Sequence, residues 1–541
     1  LPPGKTGLFC PKNDQKSKNG TMKTPLLRAL RTAFQLAQLA NQRPDATPEA
    51  LLQHPNPAWG SSRRKFLRSG AQAGLLLGLG GSGLAADLLL ADSRRYERVA
   101  IVGAGMAGLS AGYHLRRKGV KATLFEGDKR PGGRIKSARI FGEGQLNTEI
   151  GAEFIDTVHQ DMLWFVRALN LQDKLMDVET DHFGRRDAFF IEGRHYGLPE
   201  LLQELQAAYP RIQADQARLE GRGAALLDRM SMAEYIEGLP VGKWLKMLLH
   251  AAYIGENGLE TAEQSAANLL GVFEIRNQNF YPFGNSDERF KVIGGNEQVP
   301  QGLAKALDGQ IRYEHRLTAL RENNNRSISL IFNENGSTRE ETFDLVILTL
   351  PFTVLRDVDI QMELPEAKRS AIRELGYGTN AKFILETRTR SWRQAGYRGY
   401  LFNERIHNGW DSAQMQLNNE GPGTFTCYYG GERGKNAARG TENEQLAHIL
   451  PALEGAFPGT SASLTGKMEL AHWAANPFAR GSYSCFKPGQ VERFDGVAFA
   501  PVRRLYFAGE HCSSDYWGFM NGAAETGRRA AEKVLRKMRV F

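Results

Sequence analysis

Three glycines at Gly103, Gly105 and Gly108, a glutamate at Glu126 and a lysine at Lys382 are the residues whose types and spacing point most directly to chemistry. The glycines follow Val99-Ala100-Ile101-Val102 and open the run Met106–Lys118, after which Ala122-Thr123-Leu124-Phe125 leads into Glu126. That order predicts a strand, a glycine turn, a helix and a second strand ending in an acid, the unit that holds a dinucleotide. Gly103 permits the tight turn, Gly105 lets the backbone approach a pyrophosphate, and Gly108 lets helix and strand pack closely. The helix N-terminus then faces the phosphate charge. Glu126 stands 23 residues after Gly103, where a carboxylate reaches a ribose hydroxyl. Just downstream, Arg130-Pro131-Gly132-Gly133-Arg134 offers a close-running backbone and an arginine able to clamp a phosphate or carboxylate. Lys382 lies in Gly378-Thr379-Asn380-Ala381-Lys382-Phe383-Ile384-Leu385, an apolar strand-like run where burying a lysine is costly. It reads either as a group inside a site or as an edge-strand residue with its ammonium in solvent.

Positioning these residues takes more than one core, and 541 residues suffice for several domains. The apolar fraction of 41% and charged fraction of 24% are those of a globular protein. The net charge of +9 does not describe the folded body. Residues 1–95 carry 14 Lys and Arg against 5 Asp and Glu, leaving 55 of each for the remainder. This balance argues against a nucleic-acid partner. Within that leader, Ser62-Arg63-Arg64-Lys65-Phe66-Leu67-Arg68 matches a twin-arginine export signal, followed by a glycine-rich apolar stretch from Ala71 to Ala86. Cleavage is expected near residue 85. The twin-arginine export machinery is then a partner, and the mature chain is periplasmic or extracellular. A retained membrane anchor is disfavoured by the glycines and by Asp87. Met22–Gln42 reads as an amphipathic helix without assigned function. Cys10, Cys427, Cys485 and Cys512 form no C-x-x-C pair, so neither a disulfide framework nor a metal site is indicated.

Beyond the leader the pattern alternates. Helical runs occur around Met162–Val166 and Trp244–Leu249, a strand at Phe290–Gly295 and a helix at Val299–Leu307. Strands are expected at Ile311–Leu320 and Ser327–Phe332, and a buried one at Phe343–Leu350, stopped by Pro351. The last block is a strand Arg504–His511 and a helix Gly522–Met538. We read an α/β protein whose Rossmann-like cofactor domain is discontinuous, with residues 96–158, 288–355 and 481–541. An α+β substrate-binding domain takes residues 159–287 and 356–480. The oligomeric state is left open, a homodimer being one option.

One order of motifs runs through residues 96–541. After the fingerprint and Gly132-Gly133-Arg134 come Gly151-Ala152-Glu153-Phe154-Ile155-Asp156 and Leu350-Pro351. The series ends in Phe507-Ala508-Gly509-Glu510 and Gly518-Phe519-Met520-Asn521-Gly522-Ala523. This series resembles the flavin-containing amine oxidase family of monoamine, polyamine and L-amino-acid oxidases. The resemblance implies FAD in extended form, with Gly103, Gly105 and Gly108 on the pyrophosphate and Glu126 on the adenosine ribose. It places Arg134 near pyrophosphate and flavin, Leu317 at the adenine, Glu510 near the ribityl chain, and the helix start after Phe519-Met520 beneath the flavin carbonyl. It gives Lys382 a place beside the flavin N5, Tyr483 and Phe519 as facing rings, and Trp473 beside the flavin.

Three positions depart from the family pattern. Asp128 replaces an arginine common among relatives, and Phe519 a tyrosine. Ser482 stands where animal monoamine oxidases attach the flavin through cysteine, so the FAD is expected to be noncovalent, with Cys485 the only thiol close enough in sequence to contradict that. The activity implied is oxidation of an amine by O2, giving an imine and hydrogen peroxide. Alternatives are an L-amino-acid oxidase, an amine dehydrogenase with a carrier-protein acceptor, and a non-catalytic flavin scaffold. For the substrate, Glu153 and Asp156 read as an acidic pair drawing a cationic amine. Equally, Glu153 would bind a backbone or flavin group and Asp156 would cap a helix beginning near Val158. Phe154 stands where snake-venom-type L-amino-acid oxidases have an arginine, leaving Arg185, Arg186 or Arg480 to supply one.

Overall fold

The computed structural model describes residues 98–181, 187–219, 223–270, 274–276, 279–281, 287–419 and 421–540. The twin-arginine motif, the expected cleavage point, Met22–Gln42, Cys10, Arg185 and Arg186 lie outside these residues. The fingerprint strand Val99–Val102 is buried at every position. It is the middle strand of a five-stranded parallel sheet. In spatial order the strands are Ile311–Arg312, Thr123–Phe125, Val99–Val102, Leu345–Leu348 and Leu505–Phe507. Three distant stretches of sequence therefore build one sheet. The apolar run ending at Pro351 supplies a strand, Leu345–Leu348, with all four residues buried, as a sheet covered on both faces requires.

The fingerprint helix Met106–Arg117 and the C-terminal helix Met520–Met538 cross in backbone contact. A Cβ on Gly527 would lie 2.2 Å from the Ala107 carbonyl, and Ser110 Oγ donates to the Ala524 carbonyl at 2.7 Å. The C-terminal helix begins at Met520, earlier than the expected Gly522.

The run Ile311–Leu320 divides. Glu314 takes a left-handed φ of +61°, so Ile311–Arg312 joins the parallel sheet while His315–Glu322 enters a separate four-stranded sheet. That second sheet also contains Asp359–Gln361, paired in parallel with His315–Glu322. The cofactor-side architecture thus continues beyond the expected boundary at residue 355.

The other large element is a seven-stranded mixed sheet. Its strands run Leu464–His472, Ala381–Thr387, Gly423–Tyr429, His407–Asp411, Leu401–Asn403, Ala188–Ile191 and Arg194–Tyr196. Helices including Leu198–Leu219 and Lys243–Asn257 pack through one core with Phe189, Phe402 and Trp410 of this sheet. The Lys382 strand is paired on both sides, with Gly423–Tyr429 and with Leu464–His472. The edge-strand alternative for Lys382 is therefore wrong: its ammonium lies inside the protein.

Candidate active site

A single cavity runs between the two sheets, with about 1850 Å³ of empty volume, part of it open to solvent. At one end lie Glu126 and the segment His315–Leu317, at the other Lys382, Trp410 and Tyr428. The fingerprint turn forms the wall between these ends. Gly103 has φ +105° and a Cβ there would meet Thr349 Oγ1, while a Cβ on Gly108 would fall 1.9 Å from the Gly103 carbonyl. Those two glycines keep the turn tight. Gly105 differs, since it is extended and a Cβ on it would project into open space.

The residues fit an extended dinucleotide. The fingerprint helix and the C-terminal helix both begin at the cavity, where Met106, Ala107, Phe519 and Met520 line it, and neither start carries a side-chain cap. Unpaired N–H groups at a helix start are anion donors. Glu126 is buried and accepts from the Ala104 and Asp128 N–H groups at 2.7 and 2.8 Å. Burial pushes its carboxyl above the usual range despite those bonds. Leu317 lines the same end, beside an interruption in its ladder between Leu317 and Ala319.

Between the ends, Arg134 donates to Glu510 at 3.0 Å and to the Ser482 carbonyl at 2.6 Å. Glu510 also accepts from Ser484 Oγ and Gly518 N–H, both at 2.8 Å. Burial alone would raise the Glu510 carboxyl, yet the arginine and these donors hold it below the usual range. Ser482 lines the cavity. Cys485 is buried against Asn268 and lies outside the cavity lining.

The far end is aromatic and charged. Tyr483 donates to the Glu256 carbonyl at 2.5 Å, and its oxygen lies 2.9 Å from Tyr428 Oη. Trp410 stands edge-on to Tyr428 with ring centres 5.3 Å apart. Trp473 lines the cavity and donates to the Ile150 carbonyl at 2.8 Å. Phe519 also lines it, its ring packed edgewise on His159 at 5.0 Å. Lys382 is 4% exposed and donates to Glu153 Oε2 at 2.6 Å and to the Glu149 carbonyl at 2.8 Å. Burial draws its pKa below the usual lysine value, against the pull of Glu153.

The expected acidic pair does not form. Asp156 is fully buried and is absent from the cavity lining. Its Oδ1 accepts from the Glu288 N–H at 2.9 Å and its Oδ2 lies 3.3 Å from His159 Nε2. It fails as a helix cap too, because the helix starts at Gln160 after His159 with no side-chain cap. Its role is to pin the Glu288 segment to the loop after residue 150. Glu153 does line the cavity, but two lysines, Lys382 and Lys291, share its carboxylate. Arg480 turns away from the cavity to pair with Asp357 at the surface.

Sequence reasoning missed Tyr428, Trp410, Lys291 and Glu288. Lys291 carried the signal already applied to Lys382, a lysine inside the apolar run Phe290–Ile293. Tyr428 and Trp410 lie on separate, adjacent strands of the mixed sheet, diagonal to one another by two positions, since Trp410 pairs with Thr426 and Tyr428 with Asn408.

Residues 106–535 match the family of flavin containing amine oxidoreductases. The L-amino-acid oxidase of Vipera ammodytes ammodytes is 22% identical over 464 residues, covering 81% of this chain and 93% of the relative. That of Daboia russelii is 22% identical over 461 residues, covering 81% and 89%. Among solved structures, cyclohexylamine oxidase from Brevibacterium oxydans IH-35A superposes with a TM-score of 0.70 at 18% identity, covering 82% of this chain and all of that one. Putrescine oxidase bound to putrescine gives 0.67 at 18% identity, covering 81% and 99%. The match over most of the chain, and the fit of the cavity to an extended dinucleotide with serine at position 482, place this chain in the flavin-containing amine oxidoreductase family, as an FAD-dependent enzyme holding its flavin noncovalently and oxidising a carbon–nitrogen single bond.

Proposed function

We propose that the substrate is a cationic amine without an α-carboxylate, oxidised with O2 as the acceptor. The observation that carries this reading is the placement of the arginines. Among the described residues, Arg130, Arg134 and Arg316 line the cavity, and each belongs to its cofactor side. Arg134 is committed to Glu510, Arg130 to carbonyls of its own loop, and Arg316 follows His315, whose N–H is held by the Glu126 carbonyl. A substrate carboxylate calls for a bidentate arginine partner. At the aromatic end Glu288 lines the cavity, while the carboxylate of Glu153 is shared by two lysines.

When bound, FAD supplies the two-electron acceptor for the carbon that bears nitrogen, and O2 then takes those electrons as hydrogen peroxide. The chain supplies the setting. Tyr428, Tyr483 and Trp410 exclude water and favour the neutral amine, because desolvation disfavours an ammonium. Their ring faces still attract a cation on its way in. Lys382 keeps a proton-bearing nitrogen at the wall of the cavity, two of its N–H groups being held by Glu153 and the Glu149 carbonyl. The uncapped start of the C-terminal helix offers positive potential at the same cavity and would stabilise negative charge on a reduced flavin held there.

An anaerobic panel of alkyl amines, diamines and L-amino acids, scored by bleaching of the flavin's visible absorbance, tests this reading. Amines should bleach the flavin and L-amino acids should not. Bleaching by L-amino acids alone overturns the substrate class and favours the activity named for the snake-venom relatives. Export in the folded, FAD-loaded state is proposed on the Ser62–Arg68 motif. Replacing Arg63 and Arg64 by lysine should leave the enzyme in the cytoplasm on cell fractionation.

A further inference from the structure

Glu153 bridges two lysines that come from distant parts of the chain. Lys382 Nζ lies 2.6 Å from its Oε2, and Lys291 Nζ 2.5 Å from its Oε1. Trp410 Nε1 donates to the same Oε1 at 3.0 Å. The three charged residues are 4%, 6% and 5% exposed in the order Lys382, Glu153, Lys291. Lys291 also sits over the ring of Phe154 at 4.8 Å, and Lys382 lies 5.3 Å from the ring centre of Trp410. Lys382, Glu153, Phe154 and Trp410 line the cavity, whereas Lys291 stands behind them.

One acid between two ammonium groups is not a neutral arrangement. A Glu153–Lys382 pair alone would cancel the charge at the cavity wall. Lys291 takes half of the carboxylate, so the triad as a whole is positive by one. It also keeps the acid ionised: burial raises the Glu153 carboxyl, but the two lysines outweigh burial and hold it below the usual range. The other titratable groups that bear on this end are Glu149, Glu256, Glu288, Tyr428 and Tyr483.

We propose that Lys291 is a positioning residue for the flavin chemistry. By dividing Glu153 it leaves Lys382 with uncompensated positive charge on the wall of the cavity that would hold the flavin. This rests on the flavin-oxidase reading but not on the class of substrate. A positive charge near the ring favours electron uptake and the addition of anions to the oxidised flavin.

The test uses FAD-loaded enzyme and sulfite, an anion that adds reversibly to oxidised flavin and bleaches it without any amine present. Wild type, Lys291→Met, Lys291→Arg and Lys382→Met are titrated, and the flavin midpoint potential of each is measured. We expect Lys291→Met to weaken sulfite binding about tenfold and to lower the potential, in the same direction as Lys382→Met. Lys291→Arg, which keeps the charge, should stay near wild type. If Lys291→Met fails to retain FAD, Lys291→Gln serves instead, since its amide still donates to Glu153. Wild-type sulfite affinity and potential in a folded, FAD-loaded Lys291→Met or Lys291→Gln would overturn the proposal. Failure of the amine panel leaves this test intact, because sulfite does not report on substrate.

Discussion

The two ends of the cavity are made of different kinds of group. At the dinucleotide end the work falls to backbone: a turn held tight by Gly103 and Gly108, an open face at Gly105, and the uncapped start of the fingerprint helix. At the amine end it falls to side chains brought in on separate strands. Lys382 comes from Ala381–Thr387, Trp410 from His407–Asp411, Tyr428 from Gly423–Tyr429 and Lys291 from Phe290–Val292. Backbone groups can be arranged by a short local sequence. Side chains that meet only through long-range strand pairing cannot. The first end therefore tolerates little change in residue type at fixed spacing, while the second depends on charge balance among partners far apart in sequence.

The largest expected effect separates ligand space from folding at the dinucleotide end. Gly105 is extended, a conformation open to any residue, and its missing Cβ faces the cavity. Gly105→Val should fold with the stability of the FAD-free wild type yet lose FAD affinity by about 10³-fold or more, roughly 4 kcal/mol. Gly108→Ala places a Cβ on the Gly103 carbonyl and should lose the fold as well as the flavin. Flavin content against thermal melting distinguishes the two. A yellow Gly105→Val protein would break the assignment of this face to the cofactor.

Next in size is the charge at the other end. Glu153→Gln leaves two buried ammonium groups without their shared carboxylate and should destabilise the chain by about 3–5 kcal/mol. Glu126→Gln, at the dinucleotide end, removes a carboxylate held only by backbone N–H groups, and a loss of about 1–2 kcal/mol is expected. Denaturant unfolding of the FAD-free variants measures both. Equal losses would remove the distinction between the two ends.

The same distinction explains what could be read from sequence. The fingerprint, Arg134, Glu510 and the helix start at Met520 belong to compact motifs, and all of them line the cavity or anchor a residue that does. The parallel sheet was legible because Val99–Val102 and Leu345–Leu348 are uninterrupted apolar strands. Lys382 stood out as a charge in an apolar strand, and Lys291 went unused despite the same signal. Asp156 was misjudged because its partners, the Glu288 N–H and His159, are set by how the chain returns after residue 287. The split of Ile311–Leu320 turns on one left-handed residue, Glu314, which no side-chain pattern announces.

Glu149 gives an effect that is smaller than that of Glu153 and depends on pH. Its carboxylate accepts from the Asn296 N–H and from Ser137 Oγ, both at 2.8 Å, yet burial pushes its pKa up to about 7 from 4.5. The folded chain therefore holds this proton more tightly than the unfolded chain, and stability falls as pH rises from 4.5 to 7. Glu149→Gln does not titrate. Its stability relative to wild type should improve across that window by about 2–3 kcal/mol and stay constant above it. Melting curves at pH 4.5, 6 and 8 check this, and a gap that does not change with pH would refute it.

The smallest expected effect bears on the substrate. Arg480 pairs with Asp357, and both side chains are nearly half exposed, so the pair contributes at most about 1 kcal/mol. Arg480→Gln should leave stability, flavin content and the KM of every oxidised amine close to wild type. The value of the experiment lies in its null result. An arginine that holds a substrate carboxylate loses two charge-assisted bonds on substitution, which raises KM well beyond tenfold for the carboxylate-bearing substrate alone. A selective rise for an L-amino acid in Arg480→Gln would mean that the surface pair with Asp357 opens when substrate arrives. The amine end would then recruit its cation from outside the cavity, and the division between a backbone-built end and a side-chain-built end would no longer locate substrate recognition.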